Sequence, residues 1–174
     1  MREYFLQTNR IGFSIWQQED SALAELLWGN HEVTKFICAS GQFSSKDIAM
    51  RLKREIDNHI EYHVQYWPIF DLQSNEFIGC CGLRPYKENQ YEIGFHLLPK
   101  FWGLGYALEA AKAVIDYAFS VLHAEALFAG HNPNNVASKK LLYKLGFQYV
   151  GDEFYQPTGL YHPSYELKKN LLSK

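Results

Sequence analysis

The clearest periodic signal in the chain lies in its second half. Ala107, Ala110, Ala111, Val114, Ile115, Ala118, Phe119 and Leu122 fall at three- and four-residue spacing, so one apolar stripe runs down a helix over 104–121. Upstream, residues 11–17 read as a strand, and 20–29 as a helix with Leu23, Leu26 and Leu27 on one face. Residues 30–43, NHEVTKFICASGQF, read as a loop. Ser44 followed three residues later by Asp47 has the form of a capping box, and opens a helix through Ile48, Leu52, Ile56 and Ile60. Three extended stretches follow closely, VQYWPIFDL, FIGCCGL and YEIGFHLL, separated by hairpin-like turns SNE and KENQ. Pro68 demotes part of the first to an edge or a bulge. Beyond the long helix come a strand at 125–131, a helix at about 134–145, and a tail from Phe147 that holds two last strands. Successive hairpins followed by two strand–helix units predict a mixed α/β sheet, not a doubly wound one.

Composition narrows the class. A chain of 174 residues suits a single domain over 1–174, and 47% apolar with 16% aromatic residues argues for a packed core. The net charge is −2 and no basic block stands out, so nucleic acid is not an expected partner. No apolar run reaches the ~18 residues of a membrane helix and the first ten residues lack a signal-peptide core, so the expected location is the cytoplasm, away from membranes. Cys38, Cys80 and Cys81 make neither a disulfide framework nor a metal quartet, and the adjacent pair reads as small core residues. His59 and His63 are the one helical histidine pair, with no further ligand beside them, so no metal site is expected.

The stretch LLPKFWGLGYALEAAKAVI then carries the chemistry. It leaves an apolar strand, crosses Pro99, and places Gly103 and Gly105 at the start of the long helix. Free N–H groups and the positive end of a helix dipole, with side chains removed by glycine, make an anion site suited to phosphate or pyrophosphate; a plain structural junction has the same signature. A P-loop is excluded because Tyr106 and Ala107 stand where lysine and a hydroxyl residue are required. A dinucleotide fingerprint is excluded because Leu108 replaces its third glycine.

YEIGFHLLPKFWGLGYALEAAKAVIDYAF, with NPNNVASKKLLYKLGF some twenty residues later, resembles the GNAT family of acetyl-CoA-dependent N-acetyltransferases, and most the branch of the bacterial ribosomal-protein alanine acetyltransferases. The resemblance implies a mostly antiparallel sheet of six or seven strands flanked by helices, with a splayed strand pair that holds acetyl-CoA. It implies that Trp102, Gly103, Leu104, Gly105, Tyr106 and Ala107 wrap the CoA pyrophosphate. The strand around Phe95, His96 and Leu97 would pair with the pantetheine amides, and the N–H near Leu97 would face the thioester oxygen. Asn135 and Ser138 match the family's second motif. Leu104 departs from relatives that carry a basic residue there, so a neutralising side chain is missing at that position.

The implied reaction sets further requirements. An α-amine has a pKa of ~8 and a lysine of ~10.4, so a proton must be removed before attack. Glu92, beside the thioester by this resemblance, is the expected general base. His96 lies on the same strand face if no bulge intervenes, and reads as a packing or cofactor-lining residue. His131 either faces the thiolate or caps a loop. Many relatives protonate the leaving thiolate with a tyrosine one turn before LGF. Leu142 stands there, and Tyr143, rotated by 100°, should point elsewhere. Tyr155, Tyr161 or water would then take that role. Lys139 and Lys140 read as a solvated face, with contact to the cofactor's ribose phosphate as the alternative.

Segments 29–43 and 154–167 should wall the acceptor, bringing Phe36, Phe43, Phe154, Tyr155, Tyr161 and Tyr165, with Glu153 the main acid. So few carboxylates suit a peptide N-terminus or small amine better than a polycation. The expected function is direct acetyl transfer from acetyl-CoA to a primary amine, by a monomer or homodimer. The rivals are a non-catalytic acyl-CoA sensor of the same fold and a purely structural domain.

Overall fold

A computed structural model describes residues 1–169; residues 170–174 of the expected domain lie outside it. The strands are β1 (Leu6–Gln7), β2 (Ile11–Phe13), β3 (Tyr66–Asp71), β4 (Phe77–Lys87), β5 (Gln90–Leu97), β6 (Ala126–Gly130), β7 (Gln148–Tyr155) and β8 (Leu160–Lys168). The helices are α1 (Ser21–Trp28), α2 (His31–Thr34), α3 (Ser45–Tyr62), α4 (Tyr106–Ser120) and α5 (Val136–Lys144). All eight strands join one sheet in the order β1-β2-β3-β4-β5-β6-β8-β7. Every pairing is antiparallel except β5 with β6. The sheet therefore exceeds the expected six or seven strands. The addition is β1, too short for its alternation to register.

Pro68 meets one expectation and corrects another. It stands on β3 just past the β2 ladder, which pairs only Ile69–Asp71, so Tyr66–Pro68 are laddered to β4 alone, and a register irregularity follows between Ile69 and Phe70. Its carbonyl accepts from Ser14 N–H at 3.0 Å, but it has no N–H to return that bond. The β2 ladder consequently ends at Phe13, not at residue 17. Within the predicted loop 30–43, His31–Thr34 forms one helical turn, capped by Asn30 accepting from Glu32 N–H. The capping box at α3 is present, with Ser44 and Asp47 satisfying each other's backbone N–H groups.

Adjacent residues of β3 face opposite layers, as strand alternation requires. Trp67 meets the Tyr117 ring of α4 edge-on at 5.5 Å, while Tyr66 lies on the side where Glu55 of α3 pairs with Arg84 of β4. The predicted stripe of α4 is the buried one: Ala110, Ala111, Val114, Ile115, Ala118 and Phe119 all pack inward. Cys80 and Cys81 are fully buried between the layers. No helix among the described residues is long and apolar enough to cross a membrane.

Candidate active site

The parallel pairing of β5 with β6 is short. It runs Gln90–Ala126, Tyr91–Leu127 and Glu92–Phe128, and then the strands part while β5 continues to Leu97. On its other edge β5 stays in unbroken register with β4 from Glu92 to Leu97. Leu98 N–H bonds Ile78 O at 2.9 Å, so by alternation His96 and Gly94 also turn their backbone groups to β4. Phe95 and Leu97 turn theirs into the gap. Backbone groups facing a gap need a partner, and an extended ligand rich in amides supplies one. Leu97 already spends its carbonyl on the Trp102 indole N–H at 2.8 Å, which leaves its N–H for the gap.

At the mouth of this gap a short 3-10 turn, Pro99–Phe101, leads into the glycine loop. Gly103 (φ 72°) and Gly105 (φ 83°) are left-handed, and Gly105 is the N-cap residue of α4. Gly105 has no side-chain cap, so the first-turn amides of α4 remain available to an anion. Trp102 and Leu104 are exposed. Tyr106 points back, its hydroxyl donating to Asp71 Oδ2 at 2.6 Å.

One contributor to this loop escaped the sequence reading. Arg10, from the β1–β2 turn, donates Nη1 to Leu104 O at 3.0 Å and lies 4.1 Å over the Tyr106 ring. Its Nε pairs with Glu109 Oε2 at 2.7 Å, and Thr8 Oγ1 donates to Glu109 Oε1 at 2.6 Å. A guanidinium thus stands beside Leu104 although residue 104 itself is apolar. Partial burial raises the Glu109 carboxyl, but hydrogen bonds from Thr8 and Arg10 outweigh it and hold the group below the usual glutamate range.

Glu92 lies where β5 and β6 part company. Its Oε1 accepts from the Tyr66 hydroxyl at 2.8 Å. Gly94 makes this possible: a Cβ there would come within 2.2 Å of the Tyr66 ring, so the ring lies over bare backbone. Burial, then the Glu92 charge, push the Tyr66 phenol well up, so it acts as a donor. The Arg84 guanidinium stacks 4.0 Å over the same ring and is ion-paired to Glu55, whose other oxygen accepts from Tyr66 N–H at 2.8 Å. Both oxygens of this fully buried carboxylate are occupied, as a buried charge requires.

His96 shares the Glu92 face of β5, since no bulge intervenes. Its ring meets Tyr66 edge-on at 5.9 Å, and Nδ1 accepts from the Trp28 indole at 3.2 Å. Burial, with Arg51 and Arg84 nearby, pushes its pKa well down, so the imidazole is neutral. This face lies under α1 and α3, and the His96 backbone turns to β4. His131 is closed off: Nδ1 meets Asn132 O at 2.7 Å and Nε2 meets the Tyr165 hydroxyl at 3.1 Å. Asn135 Oδ1 accepts from Ser138 N–H at 3.2 Å and caps α5, so these two residues set the start of that helix just after β6. Leu142 is buried and Tyr143 exposed, the orientation that the one-residue shift predicts.

The two expected acceptor walls meet. Ala39 N–H bonds Pro157 O at 2.7 Å, joining the loop after α2 to the β7–β8 turn. Phe36 is half-buried in that loop, while Tyr155 and Tyr161 are exposed on the hairpin, with Phe154 against Tyr161. Tyr165 is the exception to the expected wall: it is buried and stacked against His131, because its β8 position faces inward.

Comparison with known proteins gives a consistent result. The family profile described as acetyltransferase (GNAT) domain matches residues 10–148. The N-acetyltransferase p20 of Bacillus licheniformis is 30% identical over 148 residues, covering 84% of this chain and 83% of that protein. The ribosomal protein uS5 alanine N-acetyltransferase of Escherichia coli is 30% identical over 98 residues, covering 52% of this chain and 50% of that protein. Among solved structures, a GNAT-family acetyltransferase from Bacillus anthracis superimposes with a TM-score of 0.80 at 22% identity, covering 95% of this chain and 98% of that one.

Proposed function

The chain belongs to the GNAT family of acetyltransferases, and from that premise we propose that it moves an acetyl group from acetyl-CoA to a primary amine by direct attack. The parting of β5 from β6 directly after Glu92 carries the reading. It leaves a strip of backbone donors and acceptors between a carboxylate at one end and a glycine-lined helix N-terminus at the other.

The residues present fit acetyl-CoA. Amides of Trp102–Ala107 would hold the pyrophosphate, helped by the dipole of α4, while Phe95 and Leu97 would pair with the pantetheine arm. Bound acetyl-CoA supplies an activated thioester. The remaining chemistry belongs to the chain. Glu92, held by the Tyr66 hydroxyl, accepts a proton from the incoming ammonium, directly or through water. Leu97 N–H donates to the oxygen on which negative charge grows, and the thiolate released as the C–S bond breaks would take its proton from Tyr155, Tyr161 or water. Direct transfer is supported by the state of the two buried thiols paired with this strand: burial pushes Cys80 up to about 12 and Cys81 well up, which leaves both poor nucleophiles. The acceptor is a peptide N-terminus or small amine, as the aromatic walls Phe36, Tyr155 and Tyr161 and the similarity to the uS5 enzyme suggest.

A second reading, a non-catalytic acyl-CoA sensor, draws on buried Leu142 in the position of the family's tyrosine acid. The first test is binding. Acetyl-CoA at a hundredfold excess over its Kd should stabilise the fold by roughly 2.7 kcal/mol, and Gly105→Glu should abolish the effect. An unchanged melting curve for the wild type would remove both readings.

A further inference from the structure

Arg51 is the charged group that the proposed mechanism leaves unused. It lies on α3 one turn before Glu55, half-buried, on the helix face that also carries Ile48 and Leu52. Its guanidinium lies 5.1 Å over the Trp28 ring and 5.5 Å over the Phe43 ring. Trp28 is the residue that donates to His96 Nδ1, and Phe43 closes the loop that meets the β7–β8 turn. Arg51 therefore sits between the proposed acceptor wall and the β5 face that carries Glu92.

Its partners are the informative part. The Nε of Arg51 is buried with no hydrogen-bond partner among the described residues. The carboxylates that could neutralise it are committed elsewhere. Glu55 is held by Arg84 and by Tyr66 N–H, and Glu92 by the Tyr66 hydroxyl. Arg84, the other cation of this face, has an ion pair. Contacts with Trp28 and Phe43 rings use the π attraction of a cation and occupy no N–H donor. A guanidinium held by aromatic rings with its donors unspent is preorganised for a planar two-oxygen anion. Leaving such a charge half-buried and unpaired is costly, and an incoming carboxylate removes that cost.

We propose that Arg51 is a specificity residue that binds a carboxylate carried by the acceptor, so that the preferred substrate is a small amine bearing an acid group, of the amino-acid or dipeptide class. This deepens the proposed function and rests on it: Glu92 takes the amine and Arg51 the acid. It also supplies a reason for a cleft with few acidic side chains to reject polyamines, which would bring further positive charge beside Arg51 and Arg84.

The test compares acid and carboxamide forms of the same acceptor: alanine, phenylalanine and dialanine against their amides. An alanylglutamate α-amide arm, which keeps only the side-chain carboxylate, separates that group from a terminal one. With wild type, the acid form should have a kcat/KM on the order of 10–100-fold above its amide, chiefly through KM. Arg51→Met keeps the packing on Trp28 and Phe43 and should bring that ratio to near one, and Arg51→Lys should restore part of it. Equal use of acid and amide by wild type would overturn the proposal, as would an Arg51→Met variant that lowers both arms and preserves the ratio. Should no amine be acetylated, the proposed activity falls, and thermal shift by the acid and amide forms with CoA present decides Arg51 separately. There, stabilisation by the acid form in wild type and not in Arg51→Met supports the site, and the same response in both proteins overturns it.

Discussion

The Tyr66 hydroxyl reaches across β4 to donate a 2.8 Å hydrogen bond to Glu92 on β5. The contact spans two strands because the row between them is bare. Tyr66 pairs with Gly82, and Gly82 with Gly94. Glu92 is thereby fixed at the point where β5 leaves β6, with a neutral donor on one oxygen. Its removal should be costly: Glu92→Gln is expected to lower turnover ~10²–10⁴-fold at neutral pH. Activity should recover partly at high pH as free amine accumulates, which a pH–rate profile reads. Tyr66→Phe should cost less, since it leaves the carboxylate in place without its tether.

The glycine beneath that contact gives a stability prediction. Gly94→Ala places a methyl 2.2 Å from the Tyr66 ring, and the ring cannot retreat from a buried site. A loss of ~1–3 kcal/mol is expected in denaturant unfolding. Gly130→Ala is the control, because its nearest neighbour would be an ordinary contact at 3.7 Å.

The long helix illustrates what the sequence discloses. Its stripe, the glycine loop and the Ser44–Asp47 box were all legible because each is encoded within a few consecutive residues. The clusters that give the site its chemistry were not. Tyr66 and Glu92 are brought together by strand register, and Arg10 and Glu109 are 99 residues apart in the chain. Neither pairing has a local pattern, so the charge that Arg10 brings beside Leu104 leaves no trace in the sequence around residue 104. The two-residue β1 and four-residue α2 are too short for any period to appear.

The clamp of Arg10 and Glu109 carries a pH signature. Glu109 is held below its ordinary value of 4.5 in the fold, so its contribution to stability is complete above that value. It is lost as pH falls through the lowered folded value. Melting curves of wild type and Glu109→Gln should therefore differ at neutral pH and converge once the pH falls below the lowered folded value. The gap should be modest, because both side chains are partly exposed. The same substitution should weaken acetyl-CoA binding by loosening the Leu104 carbonyl.

Tyr143 tests the helix register. Its ring meets Tyr165 edge-on at 5.7 Å and stays exposed. Turnover by Tyr143→Phe should match wild type. A loss comparable to that of Glu92→Gln would show that α5 presents this hydroxyl to the leaving thiolate.

The central claim is that the gap between β5 and β6 is a catalytic cleft and not only a binding groove. Release of free CoA thiol from acetyl-CoA, followed with and without added amine, decides it. The account predicts amine-dependent release, faster with short peptides beginning in alanine or serine than with spermidine or an aminoglycoside, and lost in Glu92→Gln. Stabilisation by acetyl-CoA with no thiol released by any amine in the panel would contradict it.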